Sequence, residues 1–308
     1  MSTTPTTGSD GTSPEQPSDG YDARPDTTEV DEAAHLRPMH AHVSAADYLT
    51  QMWDRRSFAS AMPLEEIRTS HQDTLLGNVW HLVNPMLSVG VYYLVFAVFL
   101  DARGGIENYV LWLMIGVFTF GLTNRSVLAG ATAITSNIGL MRSMRFPRAL
   151  LPVSAVFGRL VTFGFELAVL FVVAILTGEG ITQRVLALPI ILAVHTVFNL
   201  GLAMIAARLN DSYRDVQQLI PFVFRLLMYV SGVMFPVRQY IDDAEAPGLI
   251  SRIVSLNPMV QILDLYRWVF LGEPVSLWRV AEFIALTALV LVFGFRFFRV
   301  KELAYGRA

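Results

Sequence analysis

The stretch Leu150–Thr177, LLPVSAVFGRLVTFGFELAVLFVVAILT, decides the fold. Its only ionisable side chains are Arg159 and Glu166, and nearly all of its other residues are apolar or small. An α-helix rises about 1.5 Å per residue, so this stretch exceeds the hydrocarbon core of a bilayer, which is about 30 Å thick. The sequence therefore predicts a membrane-spanning helix, the form in which a single segment satisfies its own backbone in lipid.

Five further stretches have the same character. They are Trp80–Leu100, Tyr109–Thr132, Arg184–Leu209, Val216–Pro236 and Trp278–Phe298. The composition agrees, with 16% charged residues against about 25% in soluble domains and a mean hydropathy of +0.46. We expect an all-α integral membrane protein whose residues 80–308 form one domain of six transmembrane helices.

Two segments precede this domain. Residues 1–43 are rich in Ser, Thr, Pro, Gly and acidic side chains, which predicts a disordered acidic cytoplasmic tail. Residues 44–79 interleave apolar and charged side chains, which predicts an amphipathic helix region in the headgroup plane. The alternative is a helix packed on another protein, but Trp53 beside Arg55 and Arg56 favours the membrane interface.

The placement of arginine predicts the orientation. Arg142, Arg145 and Arg148 lie in one connecting loop, and Arg208 and Arg214 flank the next loop on the same side. The opposite loops are poorer in basic residues and richer in acidic ones. The positive-inside rule then predicts a multi-pass plasma membrane protein with both termini in the cytoplasm, which requires an even number of spans.

The outer connection between the fifth and sixth stretches contains two apolar runs. Leu249–Leu256 and Met259–Gly272 flank the dipeptide Asn257-Pro258, and each run is too short to cross a bilayer. We predict a re-entrant pair of helices that dips into the membrane and returns. Two helices lying flat on the outer surface remain the alternative.

Composition also excludes several kinds of chemistry. The chain has no cysteine, and its single lysine, Lys301, cannot be placed in a Gly-x-x-x-x-Gly-Lys-Ser/Thr phosphate loop. The carboxylate pair Asp242-Asp243 lies in an outer turn with no second cluster beside it, which argues against a magnesium-dependent prenyl or glycosyl transferase. We therefore expect no cofactor or metal on this chain, no nucleic acid partner, and ATP hydrolysis only on another protein.

Three patches of sequence stand out together. The first is Arg68-Thr-Ser-His-Gln-Asp-Thr-Leu-Leu-Gly-Asn-Val-Trp80 with Asn84-Pro85, and the second is Arg145-Phe-Pro-Arg-Ala-Leu-Leu-Pro152. The third is Tyr213-Arg-Asp-Val-Gln-Gln218 with Pro221, Phe235-Pro236, Leu256-Asn-Pro258 and Phe270-Leu-Gly272. In this order they resemble the permease subunits of ABC-2 type exporters for polysaccharides and lipid-linked glycans, the Wzm, TagG and KpsM-like group. The chain departs from the group in its long acidic tail and at Ser231-Gly232, where many relatives have Ser-Pro.

The resemblance implies a homodimer that works with two copies of a separate ATPase subunit, which carries the ATP and magnesium. It implies coupling segments at Ser136–Arg148 and Asn210–Gln218 that dock on that subunit. The candidate coupling residues are Arg142, Arg145, Arg148, Tyr213, Arg214 and Asp215. Arg142 and Arg145, spaced three apart on one helical face, either meet an acidic groove on the ATPase or serve only as topology anchors.

Within this group the chain is most similar to the galactan-exporting permeases of mycobacteria. The resemblance implies a polyprenyl-diphosphate-linked polysaccharide as substrate, either galactan or an O-antigen-like glycan. Export of drugs or small lipids is the alternative. A secondary transporter is disfavoured, because inverted repeats and interrupted helix pairs are not visible in the sequence.

Ionisable and polar residues inside the spans are candidates for function because they are costly in lipid. Arg225 lies about 15 Å along the fifth helix from Asp215, so it either contacts a diphosphate or sugar hydroxyls or pairs with a neighbouring helix. Arg159 and Glu166 either bracket a polar strip or bind other helices. His195 and Asn199 are interpreted as interhelical hydrogen-bonding residues.

Aromatic side chains on two helices are candidates for a path along which a glycan slides. In the resembling family the first and fifth helices open toward lipid, so we predict a lateral gate with Arg225 and five aromatic residues. These are Tyr92, Tyr93, Phe96, Tyr229 and Phe235. Plain aromatic packing or an interfacial belt is the alternative for each of them.

Overall fold

The computed structural model describes residues 45–55, 57, 79–144, 146–237, 239, 248–302 and 305. The predicted acidic tail, residues 1–43, and most of the amphipathic region lie outside these residues. Within the described ranges the chain is all-α, with helices joined by turns and without a strand. This agrees with the helical class predicted from the apolar stretches.

We number the α-helices in chain order. They are α1 (Ala45–Asp54), α2 (Trp80–Tyr92), α3 (Tyr109–Thr132), α4 (Ile138–Ser143), α5 (Leu150–Leu176), α6 (Leu188–Ser212), α7 (Val216–Val230), α8 (Gly248–Leu256), α9 (Pro258–Leu271) and α10 (Leu277–Val300). A π-helical segment, Tyr93–Phe99, continues α2, and 3₁₀ turns precede α4 at Thr135–Asn137 and α6 at Gln183–Ala187.

Five helical segments are long and apolar enough to cross a membrane. They are Trp80–Phe99, Tyr109–Thr132, Leu150–Leu176, Gln183–Ser212 and Leu277–Val300. The predicted fifth span, Val216–Pro236, is only partly helical, because α7 has 15 residues and ends at Val230. A spanning helix needs about 20 residues, so six spans stay a prediction.

The end of α7 has a local cause. Gly232 has a φ of +67°, a conformation that glycine adopts at little cost and that stops a helix. The turn is held by α9 and its cap, since Arg267 donates a hydrogen bond to the Gly232 carbonyl at 2.8 Å and the Asn257 amide donates to Ser231 Oγ at 3.0 Å. The Ser231-Gly232 departure from the resembling family therefore coincides with the end of the helix.

The bundle is built around α3, which packs against α5, α6, α7 and α9, while α10 packs along α6. Small residues allow close approach, which is how membrane helices associate without a hydrophobic driving force. A Cβ added at Gly130 would overlap Ala203, and one added at Gly294 would overlap the backbone of Gly201. Both positions therefore fix how closely neighbouring helices approach α6.

The second helix of the α8–α9 pair has clear capping residues at both of its ends. The Asn257 side chain accepts a hydrogen bond from the Met259 amide at 3.0 Å, Pro258 takes the first helical position, and Gly272 ends α9 in a left-handed conformation. Most side chains of α9, from Met259 to Phe270, are buried in the bundle. This burial favours an inserted helix over one lying on the surface, and re-entry into a bilayer stays a prediction.

The bundle has two ends. We call the end where α3, α6 and α10 finish and α5 and α7 begin the basic end, because it carries Arg142, Arg148 and Arg214. The opposite end, where α2 and α7 finish and α3 begins, is the far end.

Candidate functional site

The first and fifth predicted spans, which were expected to line a path, correspond to α2 with its π-helical continuation and to α7, and they meet at the far end. The Tyr92 hydroxyl donates a hydrogen bond to Met228 Sδ at 3.8 Å, and Phe96 stacks on Phe235 with ring centroids 6.1 Å apart and planes at 25°. We call Tyr92, Phe96, Met228 and Phe235 the aromatic junction. Phe96 lies in the π-helical segment, a geometry that is frequent at functional sites.

A second aromatic layer lies behind this junction. Tyr93 contacts Tyr109 with centroids 6.2 Å apart, and Tyr109 stacks on Trp112 at 5.8 Å. The Arg267 guanidinium lies 3.4 Å from the centre of the Trp112 ring, a cation–π contact, and the Tyr109 hydroxyl donates to the Met234 carbonyl. The turn that follows α7 is therefore held by buried groups, while the junction itself is only partly buried.

Arg225 lies on the exposed face of α7. Its guanidinium is 5.7 Å from the centre of the Phe222 ring, and within the part of the chain that the structure describes no carboxylate pairs with it. The ion pair considered from the sequence is therefore not formed there. Phe222 and Leu226 are 63% and 69% exposed, and Tyr229 is also exposed. A cation thus stands on an otherwise apolar outward face.

Glu166 finds its partner on α3. Arg125 Nη2 donates to both carboxylate oxygens at 2.7 Å, and the Glu166 side chain is 1% exposed. Sequence reasoning singled out Arg159 and Glu166 and missed Arg125. The sequence does contain a signal for Arg125, because it is an ionisable residue inside the apolar stretch Tyr109–Thr132, just as Arg159 and Glu166 are inside theirs.

His195 joins three helices. Its Nε2 lies 2.7 Å from Thr123 Oγ1 on α3, and its Nδ1 lies 3.3 Å from the Tyr266 hydroxyl on α9. Asn199 is buried one turn later, and its side-chain atoms have no hydrogen-bond partner among the described residues. In those residues no group of three or more His, Cys, Asp or Glu side chains is placed to hold a metal ion.

The predicted coupling segments lie at the basic end. Arg142 is exposed on α4, and Tyr213, Arg214 and Asp215 are exposed in the connection between α6 and α7. The helix carrying Arg142 ends at Ser143, so the helical face that it was predicted to share with Arg145 is not formed by α4. Arg145 itself lies outside the described residues.

Arg148 has a different environment, in a set of contacts that we call the terminal clasp: Tyr48, Arg148, Glu302 and Tyr305. The Arg148 amide donates to the Glu302 carboxylate at 3.0 Å, and its guanidinium donates to the carbonyls of Tyr305, at 2.7 Å, and Glu302. The Tyr48 hydroxyl donates to the same carboxylate. The clasp therefore ties α1, the loop before α5 and the C-terminal residues together.

The protonation state of the clasp is fixed by its surroundings. Burial and then the charge of the Glu302 carboxylate raise the pKa of Tyr48 above its ordinary value, so the phenol stays protonated and donates. Burial also raises the pKa of Tyr305, whose hydroxyl donates to the Phe298 carbonyl at 2.7 Å.

Comparisons with known proteins identify the class of this chain. The family model described as ABC-2 type transporter matches residues 64–271. The chain is 28% identical over 220 residues, 71% of its length and 82% of the relative's, to the O-antigen export system permease protein RfbA of Myxococcus xanthus. It is 23% identical over 245 residues to RfbA of Klebsiella pneumoniae and 23% over 256 residues to the polysialic acid transport protein KpsM of Escherichia coli. These two alignments cover 78% and 79% of the chain and 92% of each relative.

Proposed function

The chain belongs to the ABC-2 type transporter family, and from that premise we propose that it is the permease subunit of an exporter for a polyprenyl-diphosphate-linked polysaccharide. Its relatives are permeases for O-antigen and polysialic acid, so it is a multi-pass polysaccharide-export type of permease rather than an enzyme. The lipid-linked substrate, the homodimer and the plasma membrane orientation with cytoplasmic termini belong to the proposal.

The position of Arg225 is the observation that best supports this proposal. An arginine on a lipid-facing surface is costly, and such residues in membrane proteins usually face a partner or a water-filled path. Arg225 sits on an exposed face among Phe222, Leu226 and Tyr229. We infer that this face of α7 borders the translocation path, where the guanidinium binds a diphosphate or sugar hydroxyls.

The aromatic junction supports a sliding path beside Arg225. Aromatic ring faces stack on the C–H faces of sugars without selecting one hydroxyl pattern, which suits a polymer that moves through. The side chains of Tyr92 and Phe96 in the first span contact those of Met228 and Phe235 near the end of α7. We infer that these two elements separate as the lateral gate opens.

ATP hydrolysis is assigned to two partner subunits, one for each permease. Arg142, Tyr213, Arg214 and Asp215 are exposed at the basic end and form the proposed docking surface. ATP binding on the partner biases the gate only by its differential affinity for the closed and open states. The permease therefore acts as a gate whose equilibrium another chain shifts.

Among glycans we propose cell-wall galactan, on the sequence resemblance described above. The rival substrate class is a drug or small lipid, which the same family architecture also moves. The two substrate classes differ in one respect: a glycan is a long polar polymer that must contact the path along its length, whereas a drug or small lipid is not.

The test is substrate-stimulated ATP turnover by the permease in nanodiscs with its cognate ATPase subunit. We expect polyprenyl-diphosphate galactan to stimulate turnover, while hydrophobic drugs and galactan without the lipid leave it at its basal rate. Stimulation by drugs and not by the lipid-linked glycan would overturn the proposal in favour of its rival.

Variants at one position sharpen the test. We expect Arg225→Gln to remove most of the stimulation by the lipid-linked glycan and Arg225→Lys to retain part of it, because lysine keeps the charge but loses the planar fork. Arg296→Gln, which changes an exposed arginine on α10, is the matched control and is expected to behave as the unaltered chain. Equal stimulation of all three would remove Arg225 from the path.

A further inference from the structure

Asn210 lies near the end of α6 and is buried, with 1% of its surface exposed. Its side-chain amide donates a hydrogen bond to the Ala131 carbonyl at 2.9 Å, and its Oδ1 accepts one from the Gln217 amide at 3.2 Å. Ala131 belongs to the last turn of α3, and Gln217 belongs to the first turn of α7. One side chain on α6 therefore bonds the backbones of two other helices.

Both of these backbone groups lie where a helix cannot satisfy its own hydrogen bonds. The last four carbonyls and the first four amides of an α-helix have no partner inside that helix. Asn210 supplies a donor to the first kind of group, at Ala131, and an acceptor to the second kind, at Gln217. It thus caps the end of α3 and the start of α7 at once, although it stands within a third helix. We expect two helix ends capped by one side chain to be held relative to each other.

The end of α3 leads into the first segment that is proposed to dock on the ATPase subunit. The turn between α3 and α4 is hydrogen-bonded, since the Asn137 side-chain amide donates to the Ala133 carbonyl at 2.8 Å. Ile134, in the same turn, is fully buried in a cluster that includes Met204 of α6. The exposed Arg142 on α4 is therefore connected to the end of α3 through a turn that packs against the bundle.

The second docking segment is the short connection between α6 and α7. Asn210 and Gln217 stand at its two ends, so the hydrogen bond between them closes the connection into a loop. The residues inside this loop include Tyr213, Arg214 and Asp215, whose side chains are exposed. The side chains that a partner can reach are thus carried by backbone that a buried amide closes.

We propose that Asn210 is a positioning residue that holds the two docking segments in one fixed arrangement for the ATPase subunit. This role rests on the proposed function, because it requires that the two segments dock there. A surface that is ordered before its partner arrives binds more tightly, since less conformational freedom is lost on association. Leucine is close to asparagine in size but has no side-chain donor or acceptor, so Asn210→Leu removes both bonds and keeps most of the packing.

The test is the affinity of the full-length chain in nanodiscs for its cognate ATPase subunit, measured by biolayer interferometry without nucleotide or glycan. We expect Asn210→Leu to weaken this affinity about tenfold, because the docking surface is no longer ordered in advance. Asn210→Asp keeps an acceptor for the Gln217 amide and loses the donor to Ala131, so its affinity should fall between the two. Asn199→Leu changes the other buried asparagine of α6 and is the matched control, expected to bind as the unaltered chain.

Hydrogen exchange separates positioning from a general loss of stability. We expect Asn210→Leu to raise exchange at residues 133–143 and 213–219, the two segments that it joins, and to leave exchange across α10 unchanged. Asn199→Leu should leave both docking segments as they are. A rise throughout the bundle, or an equal loss of affinity in the two leucine variants, would assign Asn210 to the stability of the fold and overturn the positioning role.

The affinity measurement also keeps this role separate from the choice of substrate. Unchanged affinity in Asn210→Leu would overturn the positioning role, whatever glycan does to ATP turnover. Because the assay contains neither glycan nor nucleotide, a lower affinity would support the role even if glycan failed to stimulate turnover. Conversely, normal glycan stimulation together with unchanged binding in Asn210→Leu would reject the role and leave the proposed function standing.

Discussion

The two ends of the bundle are held by different kinds of contact. At the basic end the terminal clasp uses directed hydrogen bonds from Arg148 and Tyr48 to Glu302, and further inside the bundle Arg125 donates two hydrogen bonds to Glu166. At the far end the aromatic junction uses ring stacking and one weak bond to sulfur. Directed bonds are lost when partners shift by an ångström, whereas ring contacts tolerate sliding.

This difference leads to an expectation about motion. We expect the basic end, which is held by directed bonds, to be the more rigid one, and the junction between α2 and α7 to be the place where the two helices can separate. We therefore expect substitutions to lower the free energy of unfolding most at the Arg125–Glu166 pair and least at the Tyr92 hydroxyl.

The largest effect is expected from Arg125→Gln, which leaves the Glu166 carboxylate buried without its partner. Breaking a buried pair in this way costs about 3 kcal/mol of unfolding free energy. Denaturant titration of the protein in bicelles, followed by tryptophan fluorescence, measures the loss. The double variant Arg125→Gln/Glu166→Gln should recover most of it, and a fully stable single variant would show that the pair does not hold α3 to α5.

Arg148→Ala should have the next largest effect, about 2 kcal/mol, because hydrogen bonds from a charged donor to two carbonyls are lost. Hydrogen exchange should also rise at residues 299–302 and 45–54, which the clasp joins. Arg142→Ala is the control, since Arg142 is exposed and should leave stability unchanged. Equal exchange in the two variants would contradict the clasp.

The Phe96–Phe235 stack should contribute less. A double-mutant cycle with Phe96→Leu and Phe235→Leu is expected to give a coupling energy of about 1 kcal/mol. The same cycle on Phe293 and Phe297, stacked with centroids 5.5 Å apart within α10, supplies a comparison for a pair inside one helix. A coupling energy for Phe96 and Phe235 well above that of the Arg125–Glu166 pair would contradict the view that the far end is held by the weaker contacts.

The smallest effect is expected from Tyr92→Phe, which removes only the weak hydrogen bond to Met228 Sδ and keeps the ring. Thermal unfolding should be unchanged, and glycan-stimulated ATP turnover should persist. Tyr92→Leu, which removes the ring, should lower that turnover. If the phenylalanine variant failed as severely as the leucine one, the hydroxyl rather than the aromatic face would carry the function.

Local patterns in the sequence predicted several features that the structure contains. Five of the six apolar stretches, all except the fifth, form membrane-length helices, because a single segment in lipid satisfies its own backbone only as a helix. Asn257-Pro258 marked the start of α9 since its cap needs only residues next to it in the chain. The predicted fifth stretch, Val216–Pro236, is longer than α7, because Gly232 ends the helix in a turn that Arg267 holds from another helix.

The sequence by itself determined the helical membrane class, the absence of a phosphate loop and the polarity of the loops, since each depends on composition or on neighbours in the chain. Only the tertiary structure decided that Glu166 pairs with Arg125, that Arg148 belongs to the terminal clasp, and that Arg225 faces outward. The physical reason is that helical periodicity fixes which residues share a face, whereas the choice of the opposing face depends on how whole helices approach, down to contacts such as Gly201 against Gly294.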